Sequence, residues 1–303
     1  MIFSPNRRVV LQAISTLPLA FVLYAKGSEP ASAARATTAD TGPVTAQLAT
    51  LERSAGGRLG VCGLDTGSGV RILYRGGERF PFCSTFKFML AGAVLARSEQ
   101  HPDLLQRRMR YRKEDLKHYS PLTEQHVHDG MTVAGLCAAA IQYSDNTAAN
   151  QLIKLVGGPA AVTAFARSIG DTTFRLDRWE TVLNTAIPGD VRDTSTPAAL
   201  LRSFQSLVLG NTLHQAQRTL LQTWLRGNTT GKNRIAAALP ANWQIGDKTG
   251  TGDYGTTNDI AAIWPPSRAP IVLAVYYTGK DVNAPAREDV VAGAARIVIG
   301  ALG

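Results

Sequence analysis

Cysteine is scarce in this sequence. The three that occur, Cys62, Cys83 and Cys137, form an odd, widely spaced set, which excludes a disulfide framework and offers no close pair for a zinc site. Histidine is nearly as rare. Of the five, only "HVHD" at 126–129 clusters, with no third nitrogen or thiolate at motif spacing, so this stretch reads as a polar surface loop. Long apolar runs are missing as well: beyond residue 33 none approaches the ~20 residues that would cross a membrane. No internal repeat or low-complexity tract occurs, and with 45% hydrophobic and 18% charged residues the 303-residue chain has the composition of a globular protein with a sizeable core.

Acidic residues are the minority charge. Of the formal +9, residues 1–33 hold a net +2 from Arg7, Arg8 and Lys26 against Glu29, leaving +7 for the remainder. The densest cluster, "RRMRYRK" at 107–113, runs straight into Glu114 and Asp115 and reads as a solvated segment, so no nucleic-acid partner is expected. Residues 1–33 have a basic start, an apolar stretch from Val9 to Tyr24 broken by Gln12, Ser15, Thr16 and Pro18, and a small-residue "ASA" at 31–33. This is the anatomy of a signal peptide, and it predicts an exported chain, periplasmic or secreted. "NRRVVL" at 6–11 has the paired arginines of a twin-arginine signal, with Asn6 where Ser or Thr is usual, and the Sec route stays open beside it. No cysteine lies in or just after the apolar stretch, which argues against a lipid anchor and for no membrane association once the signal is removed.

The pattern that follows opens with "ADTGPV" at 39–44 as a linker and a short helix over about Val44–Arg53. "RLGVCGLD" and "VRILYRG" then read as two strands joined by the turn Thr66, Gly67, Ser68, Gly69. From Ser84 to about Leu225 the pattern is helical, with a helix at Val133–Tyr143. Gly157, Gly158 and Pro159 punctuate it, and Thr196 and Pro197 suit an N-cap and first helical position, with Gly210 as the stop. "NWQIGDKTGTG", "NDIAAIW" and "PIVLAVYYTG" return to short apolar runs of meander type, and a last helix covers about Glu288–Leu302. The economical architecture is α+β: an antiparallel sheet built from both ends of the mature chain, residues 34–79 with 227–303, and a helical domain, 80–226, inserted between them. A cleft between the two is the expected site.

One residue in the helical region is out of place. Lys87 lies in an apolar run from Phe86 to Ala96, three residues after Ser84, and a buried ammonium is found where it is paired or used. At i and i+3 the amine and hydroxyl share a face. Three further segments accompany this pair. "SDN" at 144–146 stands between two helices, with Asp145 as a helix cap. "KTG" at 248–250 lies on a strand that would project Lys248 as a fixed cation, with Gly250 leaving room for a substrate backbone. "RWETVLN" places Glu180 and Asn184 four apart in a stretch of loop residues.

Taken together, S-x-x-K, S-D-N and K-T-G, in that order, resemble the motifs of the class A serine β-lactamases, and the resemblance covers essentially the whole mature chain. It implies the sheet as five-stranded and the reaction as hydrolysis of the lactam amide of penicillins and cephalosporins through an acyl-enzyme on Ser84. In that scheme Lys87 and Ser144 relay protons and Glu180 activates the hydrolytic water with Asn184. The oxyanion hole is made by the backbone N–H groups of Ser84 and Thr251. Either Lys87 or Glu180 could serve as base in acylation. Lys248, Thr249, Gly250 and Thr251 would receive the substrate carboxylate, assisted by Arg234, whose presence fits a threonine at 257. Asn146 would bind the side-chain amide and Tyr119 line the entrance. The family also implies an Arg178–Asp193 ion pair closing the glutamate loop, a cis bond from Glu180 to Thr181, no cofactor or metal, and a monomer whose partners are β-lactam small molecules.

Some carbapenem-hydrolysing members bridge the cysteine at the position of Cys83 to one two residues after K-T-G; Gly252 stands there, so no bridge can form. Two rival readings share the acylation chemistry. A transpeptidase or carboxypeptidase would lack the deacylating Glu180, and a β-lactam sensor would need a membrane tether.

Overall fold

The computed structural model describes residues 42–302. The signal segment of residues 1–33 lies outside the described residues. Five strands, β1 (Arg58–Asp65), β2 (Arg71–Tyr74), β3 (Gln244–Gly252), β4 (Thr256–Trp264) and β5 (Ile271–Thr278), pair antiparallel throughout in the order β2-β1-β5-β4-β3. The two ends of the chain meet at β1 and β5, where Arg58 pairs with Thr278 and Asp65 with Ile271.

Strand alternation divides the apolar side chains between two cores. In β5, Val272, Ala274 and Tyr276 join one core while Ile271, Leu273, Val275 and Tyr277 join the other. The second core is closed by α1 (Gly42–Ala55) and α8 (Glu288–Leu302) through Leu48, Val290, Val291 and Val298. The first is larger. It is filled by α2 (Lys87–Gln100), α3 (Val133–Gln142), α4 (Asn146–Val156), α5 (Pro159–Ser168), α6 (Pro197–Val208) and α7 (Gln215–Arg226). Helix α2 runs through its middle, with Phe88, Met89, Leu90, Val94 and Leu95 fully buried. Each such side chain contributes roughly 1.5–3 kcal/mol relative to exposure.

Helix ends fall where their capping chemistry directs. Thr196 Oγ1 accepts from Ala199 N at 3.2 Å and Pro197 occupies the first turn of α6. Asp145 caps α4 through Ala148 N at 2.8 Å, and Gly157, at φ 111°, closes that helix in the left-handed conformation. The structure departs from the sequence reading at helix ends and in the loops: α1 is two residues longer at each end than expected, and the helical region holds two-residue ladders, Phe80–Pro81 with Thr194–Ser195 and Arg108–Met109 with Met131–Thr132. Two residues are too few for alternation to show in a sequence.

Candidate active site

Ser84 lies in a 3₁₀ turn, Cys83–Phe86, that runs directly into α2 at Lys87. Sequence spacing suggested an α-helix; the tighter turn also aligns i with i+3, so serine and lysine keep a common face. Lys87 is fully buried, and its ammonium has three strong acceptors: Asn146 Oδ1 at 2.7 Å, Ser144 O at 2.8 Å and Glu180 Oε1 at 3.0 Å. Burial pushes its pKa down, and the charge of Glu180 opposes the shift. Ser84 Oγ donates to the same Glu180 Oε1 at 3.1 Å. Serine and lysine therefore meet at one carboxylate oxygen, where the i, i+3 spacing had suggested a direct contact.

The turn between α3 and α4 supplies the next pair. Ser144 adopts φ 58°, and this left-handed residue turns both its oxygens toward cations. Its carbonyl accepts from Lys87, and its Oγ accepts from Lys248 Nζ at 3.1 Å and from Lys87 at 3.4 Å. With those lone pairs engaged, the hydroxyl proton is left to point into the cleft. Asn146, the first residue of α4, accepts from Lys87 and donates to His118 O at 2.8 Å, which ties the Tyr119 segment to the site. Asp145 also accepts from Leu122 N and Thr123 N, so the cap pins the same segment.

Glu180 is held at both ends. Asn150 brackets its backbone, donating to Glu180 O at 2.8 Å and accepting from Glu180 N at 2.9 Å, and Asn184 Nδ2 donates to Oε2 at 2.6 Å. The Glu180–Thr181 bond is cis. Asn184 Oδ1 is buried without a protein partner, an acceptor beside the carboxylate. The loop is closed at its base by Asp193, which accepts from Asp177 N at 2.8 Å and Arg178 N at 3.0 Å and forms the ion pair with Arg178.

Strand β3 is an edge strand, pairing only with β4, and Ser84, Thr249, Gly250 and Thr251 line a common cleft of about 960 Å³ with Ser144, Asn146, Asn184, Tyr119 and Arg234. Lys248 is fully buried and its pKa is lowered well below the ordinary range, by burial first and then by Lys87. Arg234 is buried against the strand, donating to Gly250 O and Asn258 O at 2.8 Å and to Thr251 Oγ1 at 2.8 Å. Gly250 has a packing reason beside the one its motif suggested: a Cβ there would lie 2.6 Å from Phe82 O and 3.2 Å from Thr85, so the glycine lets the strand pack against the Ser84 turn.

The comparisons with known proteins agree with this geometry. The profile of the Beta-lactamase enzyme family matches residues 43–302. The chain belongs to that family. It is 53% identical to Beta-lactamase OXY-1 of Klebsiella oxytoca over 98% of this chain and 99% of that protein. It is 57% identical to the carbapenem-hydrolyzing beta-lactamase KPC of the same organism over 88% and 91% of the two chains. The crystal structure of a β-lactamase from Desulfarculus baarsii superposes with a TM-score of 0.86 at 53% identity, covering 88% of this chain and 99% of that one. The protein is thus a class A serine β-lactamase, an α+β enzyme that hydrolyses β-lactams and confers resistance to them.

Several residues of the β-lactamase site escaped the sequence reading. Asn150 stands one helical turn after Asn146 on α4, and that i, i+4 pair of buried amides was the available signal. Asp247 and Asp259 lie beneath Lys248, with Asp247 bonded to Asn228 Nδ2 at 2.6 Å and Asp259 to Ile235 N at 3.1 Å. Both carboxyls are raised, chiefly by burial, and Asp259 Oδ1 is buried without a hydrogen-bond partner, so a proton retained by the pair would give that oxygen a donor. The cysteines Cys62, Cys83 and Cys137 are free and buried, and burial pushes all three thiols up, Cys62 to about 11.

Proposed function

We propose that Ser84 is the nucleophile and Glu180 the base in both halves of the reaction. The observation that carries this reading is the hydrogen bond from Ser84 Oγ to Glu180 Oε1 at 3.1 Å, in a cleft where that oxygen also meets Lys87. Glu180 takes the serine proton as Oγ attacks the lactam carbonyl, and backbone N–H groups of Ser84 and Thr251 stabilise the oxyanion. As the C–N bond breaks, Ser144 hands its proton to the lactam nitrogen and recovers one from the Lys87 side. Lys87, having passed a proton to Ser144, regains one from Glu180 Oε1 across their 3.0 Å contact, which returns Glu180 to the carboxylate. The freed Oε1, with Asn184, then orients and deprotonates the water that hydrolyses the ester.

In this reading Lys248, Thr249 and Thr251 bind the substrate carboxylate along the open edge of β3, braced by Arg234. Asn146 binds the side-chain amide, and Tyr119, 54% exposed at the rim, forms a wall. No cofactor or nucleic acid takes part. The mature chain acts in the periplasm, a reading supported by the signal-like leader; no helix among the described residues is long and apolar enough to cross a membrane. Intact-mass spectrometry with a slowly released β-lactam should show one adduct on the peptide containing Ser84. An adduct that persists in Ser84→Ala would overturn the assignment.

For spectrum, the reading is penicillins and early cephalosporins turned over well and carbapenems poorly, supported by the glycine at 252. KPC, 57% identical, is named for carbapenem hydrolysis, so identity at this level does not fix the spectrum. Efficient imipenem turnover would refute it.

A further inference from the structure

We propose that a second cavity, on the far side of the glutamate loop from the cleft, binds a small amphipathic organic anion. The cavity measures about 350 Å³, lies between residues 186–191 of the loop and the ends of β1 and β5, and shares no lining residue with the catalytic cleft. That volume is within the range of small-molecule sites.

Its wall is apolar where a surface loop is ordinarily polar. Ile187 and Val191 line it and are 46% and 49% exposed, an arrangement that leaves apolar area in water unless something covers it. Its lining carries three cations, Arg58, Arg79 and Lys280, against one carboxylate, Asp190. Arg79 donates only to neutral oxygens, Thr194 Oγ1 at 3.0 Å and 3.4 Å to Thr194 O on one side and Thr173 O at 3.0 Å on the other. Lys280 is exposed at the mouth, and neither it nor Arg79 has a carboxylate within ion-pair distance among the described residues. Arg58 is already neutralised by Glu78 at 2.9 Å. The lining carboxylate, Asp190, is satisfied by Arg192 at 2.8 Å with Arg178 at 3.8 Å.

The cavity therefore presents two uncompensated cations beside an apolar wall. A carboxylate or sulfonate head fits the cations and an alkyl or aryl body fits Ile187 and Val191. A cationic ligand would meet Arg79 and Lys280. Because the wall begins two residues after Asn184, an occupant that binds the closed loop stabilises it by linkage and acts on turnover without entering the cleft.

The test uses the aryl sulfonate 1-anilinonaphthalene-8-sulfonate as a fluorescent probe and decanoate as its competitor. Saturable probe fluorescence should appear on the intact enzyme and on Ser84→Ala alike, so the result does not depend on the catalytic assignment. Decanoate should displace the probe, and Lys280→Glu and Ile187→Asp, both at exposed positions, should each weaken binding about fivefold or more. Decanoate should alter kcat for benzylpenicillin while leaving KM unchanged. Unaltered probe affinity in both variants, failure of decanoate to displace the probe, or purely competitive inhibition would overturn the proposal.

Discussion

Lys87 Nζ and Glu180 Oε1 lie 3.0 Å apart with neither side chain exposed to solvent. Each charge makes the burial of the other tolerable, and removing one leaves the other uncompensated at a cost of about 3–5 kcal/mol. Lys87→Met and Glu180→Gln should each lower stability, and the double variant should lose clearly less than their sum. Urea unfolding of the four proteins measures the coupling. Strict additivity would show that the two groups do not interact in the folded enzyme.

Asp193 is the anchor of the glutamate loop, since it accepts from Asp177 N, Arg178 N and the Arg178 guanidinium. Asp193→Ala strands the two backbone N–H groups and Arg178 Nε, leaving the guanidinium only Thr185 and Asp190, so the loop should open before the rest of the fold. Limited proteolysis should cut first between residues 178 and 193, and deacylation should slow more than acylation. Cleavage elsewhere at the same rate as in the wild type would rule out this anchoring role.

The Asp247–Asp259 pair gives a pH dependence of defined sign. Burial lifts the Asp259 carboxyl to about 6 from 3.8, and Asp247 is raised as well, by burial and then by Asp259. Across that window the folded chain holds protons that the unfolded chain has released, so this contribution is full below about pH 4 and is lost as pH rises through about 6. Asp259→Asn supplies a permanent N–H in place of the retained proton and keeps an oxygen for Ile235 N. The thermal midpoint of the variant, relative to wild type, should therefore rise between pH 4 and 7. A constant difference across that range would exclude the retained proton.

Gly252 is the point where β3 touches the loop. A Cβ there would lie 2.5 Å from Asn184 O and 2.7 Å from Cys83 Sγ, both closer than atoms tolerate, and Asn184 O also accepts from Asp253 N at 2.9 Å. Gly252→Ala should displace the Asn184 backbone and slow deacylation of benzylpenicillin roughly 10- to 100-fold, as small misplacements of catalytic groups do. Pre-steady-state quench should show normal acylation. An unchanged kcat would mean the strand yields and the loop does not.

The sequence made some of this site legible and hid the rest for a physical reason. Lys87 stands out because an ammonium is incompatible with the apolar run around it, and Ser84, Ser144 and Lys248 through the motifs S-x-x-K, S-D-N and K-T-G. The sheet was visible because its strands are short apolar runs broken by Gly, Asp and Pro. The contact of Ser84 with Glu180 spans 96 residues, and that of Asn150 with Glu180 spans 30, so neither is encoded in local spacing. Gly250 was expected to leave room for a substrate backbone, and only packing shows that a Cβ there would meet Phe82 O.

The decisive prediction concerns deacylation. Asn184 Nδ2 donates to Glu180 Oε2 at 2.6 Å while Oε1 accepts the hydrogen bond of the Ser84 hydroxyl, so in the proposed reading one carboxylate serves both half-reactions in turn. In Glu180→Ala the water loses its base, and general-base assistance is worth roughly 10²- to 10⁴-fold. Acylation should slow too, because the same oxygen receives the Ser84 proton, but Lys87 remains beside the serine as a weaker substitute with its pKa lowered by burial. The acyl-enzyme should then accumulate and be visible by mass spectrometry after a burst of one equivalent. Asn184→Ala should give a milder slowing, since it orients the water without taking its proton. If Glu180→Ala turned over penicillin at the wild-type rate, another base would have to act in deacylation, and the reading of Oε1 as the shared proton acceptor would fail.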